Sequence, residues 1–299
     1  MLRWLPATAR GVAASIIIGL NTLLVCIFFI PFALVKLLIP VPAIRKLTDH
    51  CLIWLANAWV SVNHGWMTAV QKLDWHVSGL EDLNPRGWYL VSCNHQSWAD
   101  IVILQRVLQG HIPFLKFFLK RELIYVPVIG FAWWALDFPF MRRGGKTLAT
   151  AAADLATARK SCEKFRHIPT SVINFLEGTR FTAAKHATQH SPYQHLLKPK
   201  SGGAAIALAT MGDLFNAMLD VTIVYPGGTP TFWQVMCGQM GKVVIEVKSI
   251  QIPAEHIQGA ASGDPRARAL IQRWLNDLWK EKDSRIGELL GKPAQNPEA

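Results

Sequence analysis

The stretch Asn94-His95-Gln96-Ser97-Trp98-Ala99-Asp100 sets a histidine five residues ahead of a carboxylate, directly after the apolar run Trp88-Tyr89-Leu90-Val91-Ser92-Cys93. This arrangement suits general-base chemistry. An aspartate that holds one imidazole nitrogen favours the tautomer whose other nitrogen faces the substrate. Such a pair can take the proton from an alcohol. It needs no serine or cysteine nucleophile when the acyl donor is already activated. The same spacing also fits a plain structural reading, with His95 capping a turn and Asp100 placed in the following helix.

The elements around the pair read as alternating strands and helices. Strands are expected at Asp74 to Ser78, Trp88 to Cys93, about Asp137 to Met141, Ser171 to Leu176, Val221 to Tyr225 and Lys242 to Ile250. Helices are expected from Trp98 to Leu108, Thr147 to Lys164 and Ser201 to Met211. A last helix should run from Asp264-Pro265 to about Leu290, with proline in its favoured first position. This order argues an α/β fold, a mixed, mostly parallel sheet flanked by helices. Gly79 to Gly87 reads as a loop, and so does Phe181 to His195. The second loop carries His186, His190 and His195 but no Asp, Glu or Cys, so no metal is expected there.

Upstream, Gly11 to Val35 is an uncharged apolar run, long enough for a bilayer core that takes about 20 residues to cross. A signal peptide would have a shorter apolar region and a small-residue cleavage site. Here apolar residues continue through Leu37-Leu38-Ile39 to Pro40. Residues 1–45 therefore read as a membrane anchor, either spanning or lying in one leaflet. Arg3 and Arg10 before the run balance Lys36, Arg45 and Lys46 after it, so charge does not fix the orientation. A second apolar segment, His50 to Val70, carries Trp54, Trp59 and Trp66 among Asn57, Asn63 and His64. Within residues 46–72 it reads as an interfacial or second membrane-associated helix, or as a buried helix of the globular part. Residues 73–299 then read as the globular domain, with the last helix at its C-terminal end.

Of the 299 residues 51% are hydrophobic and 17% are charged, below the roughly 25% usual for soluble domains. The net charge is +11. No zinc-finger spacing, basic run of five or aromatic ribonucleoprotein pattern accompanies it. Anionic lipid headgroups and phosphate-bearing substrates fit that charge better than nucleic acid. Cys26, Cys51, Cys93, Cys162 and Cys237 are odd in number and widely spaced, which implies neither a disulfide framework nor a zinc site.

Three later stretches complete a pattern. Phe140-Met141-Arg142-Arg143 ends a strand in arginine, Glu177-Gly178-Thr179-Arg180 follows another, and Lys200-Ser201-Gly202 opens a helix. With the first stretch they stand in the order and approximate spacing of the glycerolipid acyltransferase family. The chain resembles the PlsC-type 1-acylglycerol-3-phosphate acyltransferases of that family, most of all those of YihG type. The resemblance covers about Trp88 to Pro226. The NHxSxxD block is matched by Asn94, His95, Ser97 and Asp100, and the EGTR block is present in full. The second block maps to Arg143 and the fourth to Val224-Tyr225-Pro226. Lys120-Arg121-Glu122-Leu123, with Pro127 and Gly130, resembles a segment between the first two blocks. Asp137 stands where relatives often carry glycine, Arg142 where they carry aspartate, and Pro199 where phenylalanine is common.

The resemblance implies transfer of a fatty acyl group from acyl-CoA or acyl carrier protein to the free hydroxyl of a lysophospholipid such as 1-acylglycerol-3-phosphate. It implies no cofactor and no metal, and a catalytic domain on the cytoplasmic face of a bacterial inner membrane. His95 would be the base and Asp100 its orienting partner. Arg143, Arg180 and Lys200 would hold the acceptor phosphate. Asn94, Ser97, Glu177, Gly178, Thr179, Gly202 and Pro226 would support the motifs, Glu177 by bonding backbone or an arginine. The sequence has neither a Walker-type phosphate loop nor a nucleophile elbow, which agrees with chemistry that needs no ATP and no covalent intermediate. The contrasting reading is a membrane-tethered scaffold, or a nucleic-acid-associated partner, that uses the basic surface alone.

Overall fold

A computed structural model of the chain describes residues 4–70, 73–141, 165, 168–262 and 265–291. The expected helix Thr147 to Lys164, with Arg142, Arg143 and Cys162, lies outside the described residues.

Strands β1 (Asp74–Ser78), β2 (Tyr89–Cys93), β3 (Leu115–Phe117), β6 (Ser171–Phe175), β7 (Ala217–Val224) and β8 (Lys242–Ile250) form one sheet in the order β1-β8-β7-β2-β6-β3. All neighbours are parallel except β7 and β8. A separate parallel pair joins β4 (Leu119–Lys120) to β5 (Phe140–Met141). The central strands β2 and β7 are buried at every position, as expected where both faces of a parallel sheet are covered. On one face Val91 and Cys93 meet Ile103 and Leu104 of helix α3 (Ala99–Leu108). On the other, Leu90 and Met218 meet Leu208 of α6 (Ser201–Met211) and Trp279 of α9 (Pro265–Gly291).

Helix α1 (Ala7–Leu38) and helix α2 (Pro42–Val70) pack against each other. The break between them falls at residues 39–41, inside the expected anchor region 1–45. Asn21 Nδ2 donates to Asn63 Oδ1 at 3.1 Å, and Trp59 Nε1 donates to Thr22 Oγ1 at 3.0 Å. These pairs, with the Lys36–Asp49 ion pair, help fix the register of the two helices. Helix α2 buries Leu52, Ala56 and Val60, spaced by four along one face, while Trp54 points outward. Helix α1 leaves Ile16, Leu20, Leu23, Leu24, Ile27 and Phe28 about half exposed, and it is long and apolar enough to cross a membrane.

Several elements differ from the sequence reading. The strand expected from Asp137 starts only at Phe140, because Asp137 has φ 57° and belongs to a turn. Strand β7 begins at Ala217, four residues before Val221. The loop Phe181 to His195 contains helix α5 (Ala183–Gln189), whose N-cap Thr182 accepts from Lys185 N at 3.2 Å. In that segment His186 Nε2 is hydrogen-bonded to the Tyr193 carbonyl at 2.6 Å. Helices α4 (Ile129–Ala135), α7 (Phe232–Met236) and α8 (Ala254–Ser262) were not expected, being too short for a clear helical period.

Candidate active site

The register of two parallel strands brings the first and third sequence motifs together. Cys93 at the end of β2 lies opposite Phe175 at the end of β6. The turns that follow therefore leave the sheet side by side at its carboxyl edge, where open α/β sheets bind ligands. Glu177 is fully buried and links the two turns. Its Oε1 accepts from His95 N at 2.8 Å and its Oε2 accepts from Leu197 N at 3.0 Å. It bonds backbone, as one of the two expected alternatives had it. Burial pushes this carboxyl up to about 7, against the pull of the two backbone N–H groups and the Lys282 ammonium. A third tie runs from Phe181 N to the His95 carbonyl at 2.7 Å.

Asp100 is fully buried in the first turn of α3, where the helix dipole favours a negative charge. Its Oδ2 bonds His95 Nδ1 at 2.8 Å and accepts from the backbone N of Gln96 at 2.7 Å and of Ser97 at 2.9 Å. Its Oδ1 accepts from the Tyr225 hydroxyl. The face of the His95 ring stacks on Phe175, with centroids 4.0 Å apart and planes 17° from parallel. The imidazole is thus held by one edge and one face, which leaves Nε2 as its available nitrogen. Ser97 donates its hydroxyl to the Pro230 carbonyl at 2.6 Å and accepts from Ala99 N at 3.1 Å, which pins the loop to the segment beyond β7.

His95 opens into a cleft of about 280 Å³, lined also by Trp98, Phe117, Phe118, Phe175 and Arg180. The Arg180 guanidinium sits 4.6 Å over the Trp98 ring, a cation–π contact that aims the side chain. Lys185 Nζ donates to Thr179 Oγ1 at 2.7 Å and to the Arg180 carbonyl at 2.9 Å, which stiffens the turn. Gly178 has φ 69°, a conformation that favours glycine, and a Cβ there would lie 3.4 Å from Lys200 Nζ. Lys200 therefore places its ammonium beside the Gly178 turn, and its backbone N donates to the Leu176 carbonyl at 2.8 Å.

Of the residues singled out by sequence, Asn94, His95, Ser97, Asp100, Glu177, Gly178, Thr179, Arg180 and Lys200 gather at this edge. Gly202 lies on α6 next to Arg268, and Pro226 is exposed after β7; neither lines the cleft. Arg143 lies outside the described residues. The sequence reading missed Tyr225, Phe175 and Lys185 as working parts of the site. Phe175 stands just before the Glu177 block and Tyr225 lies inside the fourth block, but no local spacing links either to His95 or Asp100.

Known proteins resemble this chain in sequence and in fold. The family described as Acyltransferase matches residues 74–229, more than half of the chain. A mouse 1-acyl-sn-glycerol-3-phosphate acyltransferase delta is 29% identical over 210 residues, covering 65% of this chain and 51% of the mouse protein. An Arabidopsis thaliana 1-acyl-sn-glycerol-3-phosphate acyltransferase 3 is 26% identical over 252 residues, covering 79% of this chain and 60% of the plant protein. The chain thus spans only about half the length of relatives such as the mouse protein. The crystal structure of the 1-acyl-sn-glycerophosphate acyltransferase PlsC from Thermotoga maritima superposes with a TM-score of 0.58 at 19% identity, over 97% of this chain and all of that one. That likeness extends the shared fold to the N-terminal helices. From the family match across the sheet that carries His95, Asp100 and Glu177, this chain belongs to the acyltransferase family.

Proposed function

We propose that the protein transfers a fatty acyl group from an acyl thioester to the free hydroxyl of a lysophospholipid such as 1-acylglycerol-3-phosphate. The observation that carries this reading is the His95–Asp100 pair at 2.8 Å, with the other imidazole nitrogen left to an aromatic cleft that Arg180 also lines. The acceptor hydroxyl gives its proton to His95 Nε2 while its oxygen bonds the thioester carbonyl carbon. The tetrahedral intermediate collapses, the C–S bond breaks, and the imidazolium returns the proton to the departing thiolate. Asp100 holds the ring and stabilises its charged form. Base catalysis of this kind supplies about 10² to 10⁴-fold, and positioning of the substrates supplies more. Acyl-CoA and acyl carrier protein both fit as donors, and the chemistry calls for no cofactor.

Arg180 and Lys200 serve the acceptor phosphate, with Arg143 as a further partner. The names of the mouse and Arabidopsis relatives, both 1-acyl-sn-glycerol-3-phosphate acyltransferases, support a phosphate-bearing acceptor. The exposed apolar side of α1 supports docking on a bilayer, with residues 1–45 as anchor, 46–72 as an interfacial helix with one face packed on the protein, and 73–299 as the catalytic domain. Drawing a lipid into water costs about 0.8 kcal/mol per CH₂, so a bilayer-docked enzyme avoids that cost. A thioester-release assay with acyl-CoA and a panel of lysophospholipids tests the reading. The wild type should release thiol only with an acceptor present, and folded His95→Ala should release none above background. Full turnover by that variant would remove the proposal.

A further inference from the structure

We propose that Tyr225 is a positioning residue for acyl transfer, acting through Asp100. The inference rests on the general-base reading of His95.

The buried carboxylate of Asp100 divides its bonds between its two oxygens. Oδ2 holds His95 Nδ1 and the backbone N–H groups of Gln96 and Ser97. Oδ1 is held by the Tyr225 hydroxyl, its one partner among the described residues. A carboxylate gripped at one oxygen can still rock about its Cβ–Cγ bond. Gripped at both, it keeps the plane that suits the imidazole. Tyr225 itself is 3% exposed and stands two residues after Ile223, whose backbone is bonded to Asn94 at 2.9 Å in both directions. The end of β7 is therefore registered to the catalytic loop, and the phenol arrives at Asp100 from a second strand. Burial pushes the hydroxyl well above its usual value, and the Asp100 charge adds to that, so it stays a donor at any working pH.

The arrangement makes a three-part chain, Tyr225 to Asp100 to His95, with only the last member facing substrate. Losing the hydroxyl leaves a fully buried carboxylate oxygen without a donor. The expected cost falls on turnover, since no bond to acceptor or donor is removed.

The test is a kinetic cycle on the full-length chain in lysophosphatidate-containing vesicles with acyl-CoA. Tyr225→Phe should lower kcat about 10- to 100-fold and leave both KM values within about twofold. In an Asp100→Asn background the same change should alter kcat less than about twofold, because the group it acts through is gone. An equal loss in both backgrounds, a wild-type kcat, or a loss confined to KM overturns the proposal. Should Tyr225→Phe fail to fold, 3-fluorotyrosine at position 225 keeps the size and strengthens the donor. The imidazole N–H proton resonance shared with Asp100, identified by its loss in His95→Ala, should then move from its wild-type position. An unmoved resonance overturns the proposal. A His95→Ala variant that retains turnover would instead defeat the general-base reading, a result distinct from an active His95 with an idle Tyr225.

Discussion

The side chain of Asn94 exchanges two hydrogen bonds with the backbone of Ile223, Nδ2 to the carbonyl and the amide N to Oδ1, both at 2.9 Å. It acts as one more rung of the β2–β7 ladder, just where β2 has ended. The residue after it is His95, so this rung sets where the His95 loop begins. Asn94→Asp keeps the shape but turns a donor into an acceptor that faces a carbonyl. We expect a loss of roughly 2 to 4 kcal/mol of stability, from a buried acceptor left unpaired and an added buried charge. Denaturant unfolding of the purified protein checks it. A midpoint equal to wild type would show that the ladder does not need this rung.

Glu177 carries a pH dependence whose sign follows from its burial. Its folded carboxyl is raised to about 7 from an ordinary value of 4.5. Between those values the unfolded chain has released the proton and the folded chain still holds it. Stability should therefore fall as pH rises through that window and level off above about 7, by up to roughly 3 kcal/mol. Glu177→Gln has nothing to titrate and should lack this slope, while losing some stability through its poorer match to two backbone donors. The check is the difference in unfolding free energy between wild type and variant at pH 5 and pH 8. A difference that does not change with pH would refute the assignment.

These two residues mark how far the sequence was legible. His95 and Asp100 could be paired from spacing because five residues of turn bring them into contact. Glu177 and Asn94 could be flagged through the family motifs, but their partners sit 82 and 129 residues away, on strands whose register no local pattern specifies. Tyr225 is 125 residues from Asp100, and its own sequence context marks only a strand end. Long alternating or helical segments read well: Asp74–Ser78, Ser201–Met211 and Lys242–Ile250 have the bounds their patterns suggested. The strand at Asp137 failed because a positive φ at a non-glycine residue depends on distant partners, here Lys36 on α1.

Arg180 is expected to act on acceptor binding. Arg180→Ala should raise the KM for lysophosphatidate about 10- to 100-fold, with a smaller effect on kcat and none on the KM for acyl-CoA. Arg180→Lys should recover little of this, since a lysine keeps the charge but loses the planar fork and the stacking over Trp98. Steady-state kinetics with lysophosphatidate and with an uncharged monoacylglycerol separate phosphate recognition from general damage. The two acceptors should converge in the variants. An undiminished preference for the phosphate-bearing acceptor would count against Arg180.

Lys36, at the end of α1, is nearly buried and pairs with Asp49 of α2 at 2.6 Å, with Asp137 before β5, and with the Ala135 carbonyl at 2.9 Å. One ammonium thus ties the N-terminal helices to the turn that leads into β5. Lys36→Met takes the nearest cation from two largely buried carboxylates, leaving Asp137 with Arg45 at 3.9 Å, and should cost about 3 kcal/mol. Replacing Asp137 separates two effects at one site. Its φ of 57° is strained for any residue with a Cβ and free for glycine. Asp137→Ala loses the ion pair and keeps the strain, while Asp137→Gly loses the pair and relieves the strain. Lys36 retains Asp49 in both cases. Glycine should therefore be the milder substitution by about 1 kcal/mol, the reverse of the usual helix or strand ranking. Unfolding curves of the two variants in the same detergent settle the order, and an alanine variant as stable as the glycine one would mean that the ion pair, not the backbone, dictates this turn.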